Sequence, residues 1–294
     1  MGQTTRRRSV LYVPGDRQRP LTKARELAAD AIIIDLEDAV APDAKAEGRR
    51  TMQAVLAEGG YAAELVVRVN GLDTEWAPAD MVAAVEAGAA AVLVPKVSGP
   101  QDVEEAARGL AQAGAPEAMR LWAMIETPLV LLNLAEIAAC AASREIRLDA
   151  FVIGTNDLAV ATRARLTLGR EAFVPWFAQI VAAAHAYGID VIDGVLNDFS
   201  DAARLEAECR QARDLGMDGK SLIHPSQIEA ANRIFSPSAD ELAEARAIVE
   251  AFARPENAGK GVVGVNGRMA EIMHLRQAER VLALAEAGPG GSRR

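Results

Sequence analysis

Ala31-Ile32-Ile33-Ile34-Asp35-Leu36-Glu37-Asp38 is an apolar run without polar alternation that ends abruptly in three carboxylates. A strand with one wet face alternates apolar and polar side chains, whereas a strand covered on both faces is an unbroken aliphatic run. The same reading applies at 9–13, 65–69, 90–95, 121–125, 150–153, 190–195 and 221–223. Between these runs, apolar residues at helical spacing predict helices over 19–29, 43–58, 76–87, 102–113, 129–142, 174–187 and 200–215. Gly59, Gly60, Gly88, Gly188 and Gly216 punctuate the joins. Strand and helix in alternation imply a parallel sheet, and eight such units predict an α/β fold closed as a TIM (β/α)8 barrel. An open doubly wound sheet usually places a glycine-rich phosphate turn after its first strand, and Val13-Pro14-Gly15-Asp16 is not GxGxxG.

The barrel is expected over residues 1–235. Residues 236–294 are read as a C-terminal helical extension of the same domain, a lid, with helices over 240–254 and 270–287 around Gly259-Lys260-Gly261-Val262-Val263-Gly264. Half of the 294 residues are hydrophobic and a quarter are charged, which excludes disordered and collagen-like chains. A net charge of −9 argues against a nucleic-acid partner, and Arg6-Arg7-Arg8 is read as part of a short polar tail, too small for an electrostatic footprint. Cys140 and Cys209 lack zinc-ligand spacing and are read as buried free thiols. No apolar signal core opens the sequence, and no run approaches the roughly 20 apolar residues of a membrane span, so a cytoplasmic protein without membrane contact is expected.

The chemistry of such a barrel sits at the C-terminal ends of its strands. Six expected ends carry polar side chains: Asp35, Glu37 and Asp38; Arg68 and Asn70; Lys96; Glu126 and Thr127; Asn156 and Asp157; and His224. Any one of these reads equally as a helix cap or a solvated loop residue, Asp38 and Thr127 especially. Converging on one mouth, carboxylates with one Arg and one Lys make a site for a divalent cation and an anionic ligand. Glu126 and Asp157 are hard oxygen donors without a thiolate or a second His, which selects Mg2+, or Mn2+, over zinc. A 2-oxo acid would complete the ion's shell while the ion stabilises an enolate oxygen. Arg68 would meet the same ligand through its planar fork of donors, with Asp35 and Glu37 as orienting groups. Lys96 is read as an ion-pair partner of Glu37 or Asp38, and His185 and His274 as surface residues.

These residues resemble the citrate lyase β-subunit family of CoA-ester lyases in the HpcH/HpaI aldolase superfamily, which includes malyl-CoA and citramalyl-CoA lyases. The resemblance runs from Arg8 to about Leu282. It rests on Arg8-Ser9-Val10-Leu11-Tyr12-Val13-Pro14-Gly15, Asp35-Leu36-Glu37-Asp38-Ala39-Val40, Val67-Arg68-Val69-Asn70, Pro95-Lys96-Val97, Met124-Ile125-Glu126-Thr127, Gly154-Thr155-Asn156-Asp157-Leu158-Ala159 and Ile223-His224-Pro225-Ser226-Gln227-Ile228. It implies a TIM barrel in which Glu126 and Asp157 bind Mg2+ and Arg68 holds the keto or hydroxy oxygen of the substrate. It further implies CoA contacts at Tyr12, Arg17 and Lys23, a thioester end lined by Ile223 and His224, and Asn156 among the substrate-binding residues. A homotrimer or homohexamer is implied, in which the C-terminal segment of one subunit closes a neighbour's site.

The resemblance implies reversible Claisen cleavage, in which a 3-hydroxyacyl-CoA such as malyl-CoA gives acetyl-CoA and glyoxylate. One departure concerns the lid, where the family carries an Asp as general acid/base near a Pro. Here the stretch is Gly267-Arg268-Met269-Ala270-Glu271-Ile272-Met273, with Glu271 at the Asp position and no Pro. Misplacing a catalytic group by about 1 Å costs on the order of a hundredfold in rate. The expected activity is a Mg2+-dependent carbon–carbon lyase on malyl-CoA, citramalyl-CoA or citryl-CoA. The alternatives are a class II aldolase on a free hydroxy-keto acid, an acyl-CoA thioesterase, and a non-catalytic 2-oxo-acid-binding subunit.

Overall fold

Strand and helix alternate from the first apolar run onward in the computed structural model, which describes residues 5–287. The order is β1 (Ser9–Pro14), α1 (Gln18–Ala24), β2 (Ala31–Asp35), α2 (Lys45–Ala57), β3 (Glu64–Arg68), α3 (Ala77–Glu86), β4 (Ala91–Val94), α4 (Pro100–Gln112) and β5 (Arg120–Ile125). There follow α5 (Pro128–Leu132), α6 (Leu134–Ala139), β6 (Leu148–Ile153), α7 (Thr155–Thr162), α8 (Val174–Ala186), β7 (Asp190–Asp193), α9 (Ala202–Asp214), β8 (Gly219–Leu222) and α10 (Ile228–Phe235). The eight strands close in sequence order into a parallel barrel, with β8 returning to β1 through Val10 opposite Ser221. This is the expected TIM barrel.

Three helical expectations change. The first helix ends at Ala24, five residues early. The helix expected over 129–142 is interrupted at Asn133, where the backbone turns to φ −108°, ψ 12°. The last helix starts at Ile272, because Ala270 and Glu271 pair in a hairpin. The short helices α7 and α10 were not expected. α7 starts directly after β6 on the polar residues Thr155, Asn156 and Asp157, which the sequence places at the end of the sixth strand.

Chain contacts group into two compact units, with the break between Phe235 and Ser236. The first holds the barrel and its helices. The second, to which Thr5 and Arg6 are assigned, contains α11 (Ala239–Ala253), the antiparallel hairpin β9 (Val262–Val265) and β10 (Arg268–Glu271), and α12 (Ile272–Glu286). Its small core is Ala251, Val263 and Ala270. Among the described residues no helix is long and apolar enough to cross a membrane.

Pleating decides where the barrel's polar groups go. Val10, Ile33, Val66, Leu93, Trp122, Met124, Val152 and Ile192 form one buried cluster, while Leu11, Ile32, Ile34, Val67, Val92, Ala123 and Ile153 belong to another. These are the inner and outer faces of the strands, which explains the unbroken aliphatic runs. Tyr12 follows Val10 by two residues, Asp35 follows Ile33, Arg68 follows Val66 and Glu126 follows Met124. Each therefore continues the inner parity at the C-terminal end of its strand.

At the opposite end, Glu64 and Asp190 precede Val66 and Ile192 by two. Arg7, 3% exposed, closes this end. Its guanidinium bonds Glu64 at 2.8 Å, Asp190 at 2.7 Å and Asp149 at 2.5 Å and sits 4.7 Å from the Trp122 ring centroid. Arg8 bonds Asp30 at 2.8 Å. Reading Arg6-Arg7-Arg8 as a polar tail is thus corrected for Arg7 and Arg8, whose partners lie as far as 224 residues along the chain. Removing one partner of a buried charge cluster strands the others. We expect Arg7→Met to lower barrel stability by about 3–5 kcal/mol, read as a fall in the urea midpoint; an unchanged midpoint would contradict this role.

Candidate active site at the barrel mouth

Arg68 ends β3 and is 7% exposed. Its Nε and Nη2 donate to the two oxygens of Asp35 at 2.8 and 2.6 Å, a bidentate grip that fixes the guanidinium plane. Asp35 is fixed in turn by the N–H groups of Glu37 and Ala39, at 2.9 and 3.1 Å. Arg68 Nη1 lies 2.9 Å from Glu37 and 3.5 Å from Asp38 at ion-pair distance. Neither contact has hydrogen-bond geometry, and Glu37 Oε2 is buried without a hydrogen-bond partner. The Arg68 guanidinium also lies 5.1 Å from the centroid of the Tyr12 ring. Burial works against the Arg68 cation, but the Asp35 hydrogen bonds and the surrounding carboxylates outweigh it and raise its pKa. Burial also pushes the Glu37 carboxyl up, against the pull of Arg68 and Lys96. The result is a permanent cation beside a carboxylate that takes up a proton more readily than usual.

Glu126 follows β5 and is 3% exposed. Its Oε1 accepts the Lys96 N–H at 2.7 Å. Lys96 makes that bond from the left-handed region, at φ 56°, a conformation costing about 1–2 kcal/mol for a side-chain-bearing residue. Its Nζ reaches Glu37 at 3.2 Å, the ion pair expected from the sequence. A Cβ on Gly154 would lie 2.5 Å from both Cβ and Oε2 of Glu126, so β6 must run out into glycine to make room for this carboxylate. Burial pushes the Glu126 pKa up to about 7, the Lys96 N–H opposes it, and the nearby Asp157 adds to it.

Asp157, in the first turn of α7, lines a cavity of about 380 Å³ with Glu126, Lys96 and Asn156. Among the described residues no three metal-ligating side chains come together, and Glu126 and Asp157 are the two carboxylates that line this cavity. That pair fits Mg2+, which takes one or two protein carboxylates and fills its shell with water and substrate oxygens. The strained ionisation of Glu126 beside Asp157 is what a divalent cation would relieve.

A second cavity, of about 390 Å³, opens over Arg68 and is lined by Tyr12, Asp35, Asp38, Met124, Asn156, Asp157, Asn197 and Ile223 among others. Asn156 and Asp157 line both cavities, so the cationic wall and the carboxylate pair face one mouth. Tyr12 is a half-buried member of this wall, its hydroxyl 3.5 Å from Met124 Sδ and its pKa raised by burial. His224 is exposed and binds its own turn, Nδ1 accepting the Ser226 N–H at 3.2 Å. Arg17 and Lys23 are exposed on the first helical segment and line neither cavity. Glu271 ends β10 in the second unit and caps α12, its N–H donating to His274 Nδ1 at 2.9 Å.

The loop after β7, which carries none of the expected strand-end residues, also reaches the mouth through Asn197. Asn197 exchanges amide hydrogen bonds with Asn156 at 3.1 and 3.0 Å, and Phe199 stacks on His224 with centroids 4.7 Å apart. The available signal was Asn197-Asp198-Phe199, directly after an apolar run.

A family model for HpcH/HpaI aldolase/citrate lyase matches residues 8–225. Over 281 residues the chain is 48% identical to a (3S)-malyl-CoA thioesterase of Cereibacter sphaeroides, spanning 95% of each protein. It is 35% identical over 306 positions to the L-malyl-CoA/beta-methylmalyl-CoA lyase of Rhodobacter capsulatus, spanning 95% of this chain and 94% of that one. The solved structure of CitE from Mycobacterium tuberculosis, in complex with magnesium, acetoacetate and coenzyme A, superposes with a TM-score of 0.73 at 28% identity, covering 95% of this chain and 97% of that one.

Glu126→Gln keeps the acceptor for the Lys96 N–H and removes the charge. Because the folded-state pKa lies above that of the unfolded chain, ionising Glu126 costs stability as pH rises from the ordinary carboxylate range through about 7. In metal-free protein, Glu126→Gln is expected to gain about 1–3 kcal/mol on the parent between pH 4 and pH 8, by urea unfolding in EDTA. A pH-independent difference would contradict the buried, uncompensated carboxylate. Gly154→Ala should displace Glu126 and cost about 1–3 kcal/mol in the same urea titration; an unchanged midpoint would contradict the close approach of Glu126.

Proposed function

The chain belongs to the HpcH/HpaI aldolase/citrate lyase family, and we propose that its barrel mouth hydrolyses the thioester of a short 3-hydroxyacyl-CoA of the malyl type, with Mg2+ held by Glu126 and Asp157. The observation that carries this reading is the shared wall: Asn156 and Asp157 line both the carboxylate pocket and the cavity over Arg68. A hydroxy acid bearing a carboxylate is thereby offered a hard-cation site and a guanidinium together. Hydrolysis is preferred over carbon–carbon cleavage because the 48% identity to a malyl-CoA thioesterase extends over nearly the whole chain.

In this mechanism Arg68 presents Nη1 to an oxygen of the acyl group, its Nε and one Nη2 hydrogen being committed to Asp35. When bound, Mg2+ supplies Lewis-acid polarisation of the acyl oxygens. Glu271 of a neighbouring subunit takes a proton from water as the water oxygen bonds to the thioester carbonyl carbon, the carbon–sulfur bond breaks, and the same proton passes to sulfur, so that CoA leaves as the thiol and the hydroxy diacid as the free carboxylate. Glu37, whose carboxyl burial pushes up against the pull of Arg68 and Lys96, lies at ion-pair distance from both and helps hold the guanidinium in place. Tyr12, Ile223 and His224 flank the thioester end, and Arg17 and Lys23 are exposed cations suited to the CoA phosphates.

A second reading is lyase activity on the same ester, favoured by the 35% identity to the Rhodobacter capsulatus lyase. The test is to incubate the protein with (3S)-malyl-CoA, with Mg2+ or with EDTA, and to follow free CoA and glyoxylate together. Magnesium-dependent free CoA without glyoxylate is expected. Glyoxylate with intact acetyl-CoA would replace hydrolysis by cleavage, and silence in both channels would contradict the ester assignment. Glu126→Gln and Asp157→Asn are each expected to abolish the magnesium-dependent rate.

The reading also includes a homotrimer or homohexamer in which Glu271 reaches a neighbour's mouth. Leu129, Leu132 and Val160 are 57%, 81% and 81% exposed, and Val160 lines the Glu126–Asp157 cavity. The second unit presents Met269 and Met273, 68% and 64% exposed. Apolar surface gathered at a functional rim marks a contact surface. Leu129→Asp with Leu132→Asp should yield smaller assemblies by light scattering and at least tenfold slower turnover. Unchanged assembly size would remove this part of the reading.

A further inference from the structure

We infer that Lys45 is a positioning residue for the Arg68 wall: its ammonium clamps the backbone of Leu36 and Glu37 and so sets the two carboxylates that aim the guanidinium. Lys45 opens α2 and is 6% exposed. Its Nζ donates to the Leu36 carbonyl at 2.8 Å and the Glu37 carbonyl at 2.7 Å. The same ammonium lies 5.3 Å from the centroid of the Trp76 ring, whose face attracts it. No carboxylate among the described residues lies at ion-pair distance from it. Asp80, Asp35, Glu37 and Asp38 act on it only through the longer-range field, opposing the effect of burial.

A buried ammonium bound to two neutral carbonyls is a costly way to hold a loop, since burying a charge without a counter-charge is unfavourable. The location of those carbonyls shows what the clamp controls. The turn they belong to follows directly on Asp35, which accepts the Glu37 N–H and grips Arg68 with both oxygens. Glu37 reaches Arg68 and Lys96 from the same turn. A rotation of this turn would move Asp35 and Glu37 together.

Asn70 braces the turn from the next strand. Its Nδ2 donates to the Leu36 carbonyl at 3.0 Å and to Asp80 at 2.6 Å, and Asp80 is held by Arg49 at 2.8 Å. The Glu126–Asp157 wall meets this turn through Lys96, whose flexible side chain reaches Glu37 while its backbone N–H donates to Glu126. It stands on β5, the Lys96 N–H and the space at Gly154. A defect in the clamp should therefore weaken ligand capture at Arg68 while leaving metal binding unaffected, a split that general loss of stability would not produce.

The inference rests on the functional reading that Arg68 meets the acyl half of the substrate. The experiment titrates the intact protein with magnesium alone, and then with (S)-malate at saturating magnesium, by calorimetry. For Lys45→Met the magnesium affinity is expected to stay within twofold and the malate affinity to fall tenfold or more. Lys45→Gln, which keeps a donor for one carbonyl, should fall between, and it carries the same comparison if Lys45→Met fails to fold. Malate affinity unchanged in both variants, or lost in proportion to magnesium affinity, would overturn the clamp. Absence of malate binding to the unmodified protein would instead overturn the reading of Arg68, and the clamp with it.

Discussion

A charged group at the end of an apolar barrel has to be compensated where it stands, and the mouth of this protein is organised around that constraint. Arg68 is largely buried on the inner face of β3, where water solvates it poorly. Asp35 neutralises it with two hydrogen bonds, while Glu37 and Asp38 add charge without hydrogen-bond geometry. The cation is consequently immobile but not saturated, which suits a group that must meet an anionic ligand without reorganising. The opposite wall is the converse case. Glu126 and Asp157 lie close with too little positive charge between them, and the pKa of Glu126 rises to about 7. One wall therefore has donors to offer and the other calls for a cation.

The two ends of the barrel use the same materials for different purposes. At the N-terminal end, Arg7 meets Glu64, Asp149 and Asp190 in a closed cluster with hydrogen bonds to all three. At the C-terminal end, Arg68 retains an uncommitted edge, Glu37 an unpartnered oxygen and Lys96 a strained backbone. The Arg7 cluster at the floor is hydrogen-bonded throughout, although burial and Asp218 still push the Asp190 carboxyl up, whereas the mouth adds a carboxylate oxygen without a hydrogen bond and a strained Lys96 backbone, as functional sites commonly do.

The barrel was legible because a strand covered on both faces leaves a continuous aliphatic run, and because Asp35, Arg68, Glu126 and Asp157 stand conspicuously where those runs stop. What escaped depends on partners distant in sequence. Asn197 becomes interesting only through Asn156, 41 residues away. Lys45 reads as an ordinary exposed lysine at the start of a helix until the turn at Leu36 and Glu37 is folded over it. Arg7 reads as part of a tail until Glu64, Asp149 and Asp190 are brought to it. Helix α7 was missed because its first turn carries site residues, whose polarity masks the apolar spacing that marks a helix. The Gly154 requirement was invisible for a related reason, since its cause is the side chain of Glu126 on the neighbouring strand.

The central claim is that Glu126 and Asp157 hold one divalent ion in direct contact with the acyl portion of the substrate. Electron paramagnetic resonance of Mn2+ bound in place of Mg2+, recorded with (S)-malate carrying 17O in its hydroxyl and carboxylate groups, tests this directly. The account predicts a single bound ion whose lines broaden with the labelled malate, and loss of that signal in Asp157→Asn. A signal that persists unchanged in Asp157→Asn, or one that labelled malate leaves unbroadened, would contradict it.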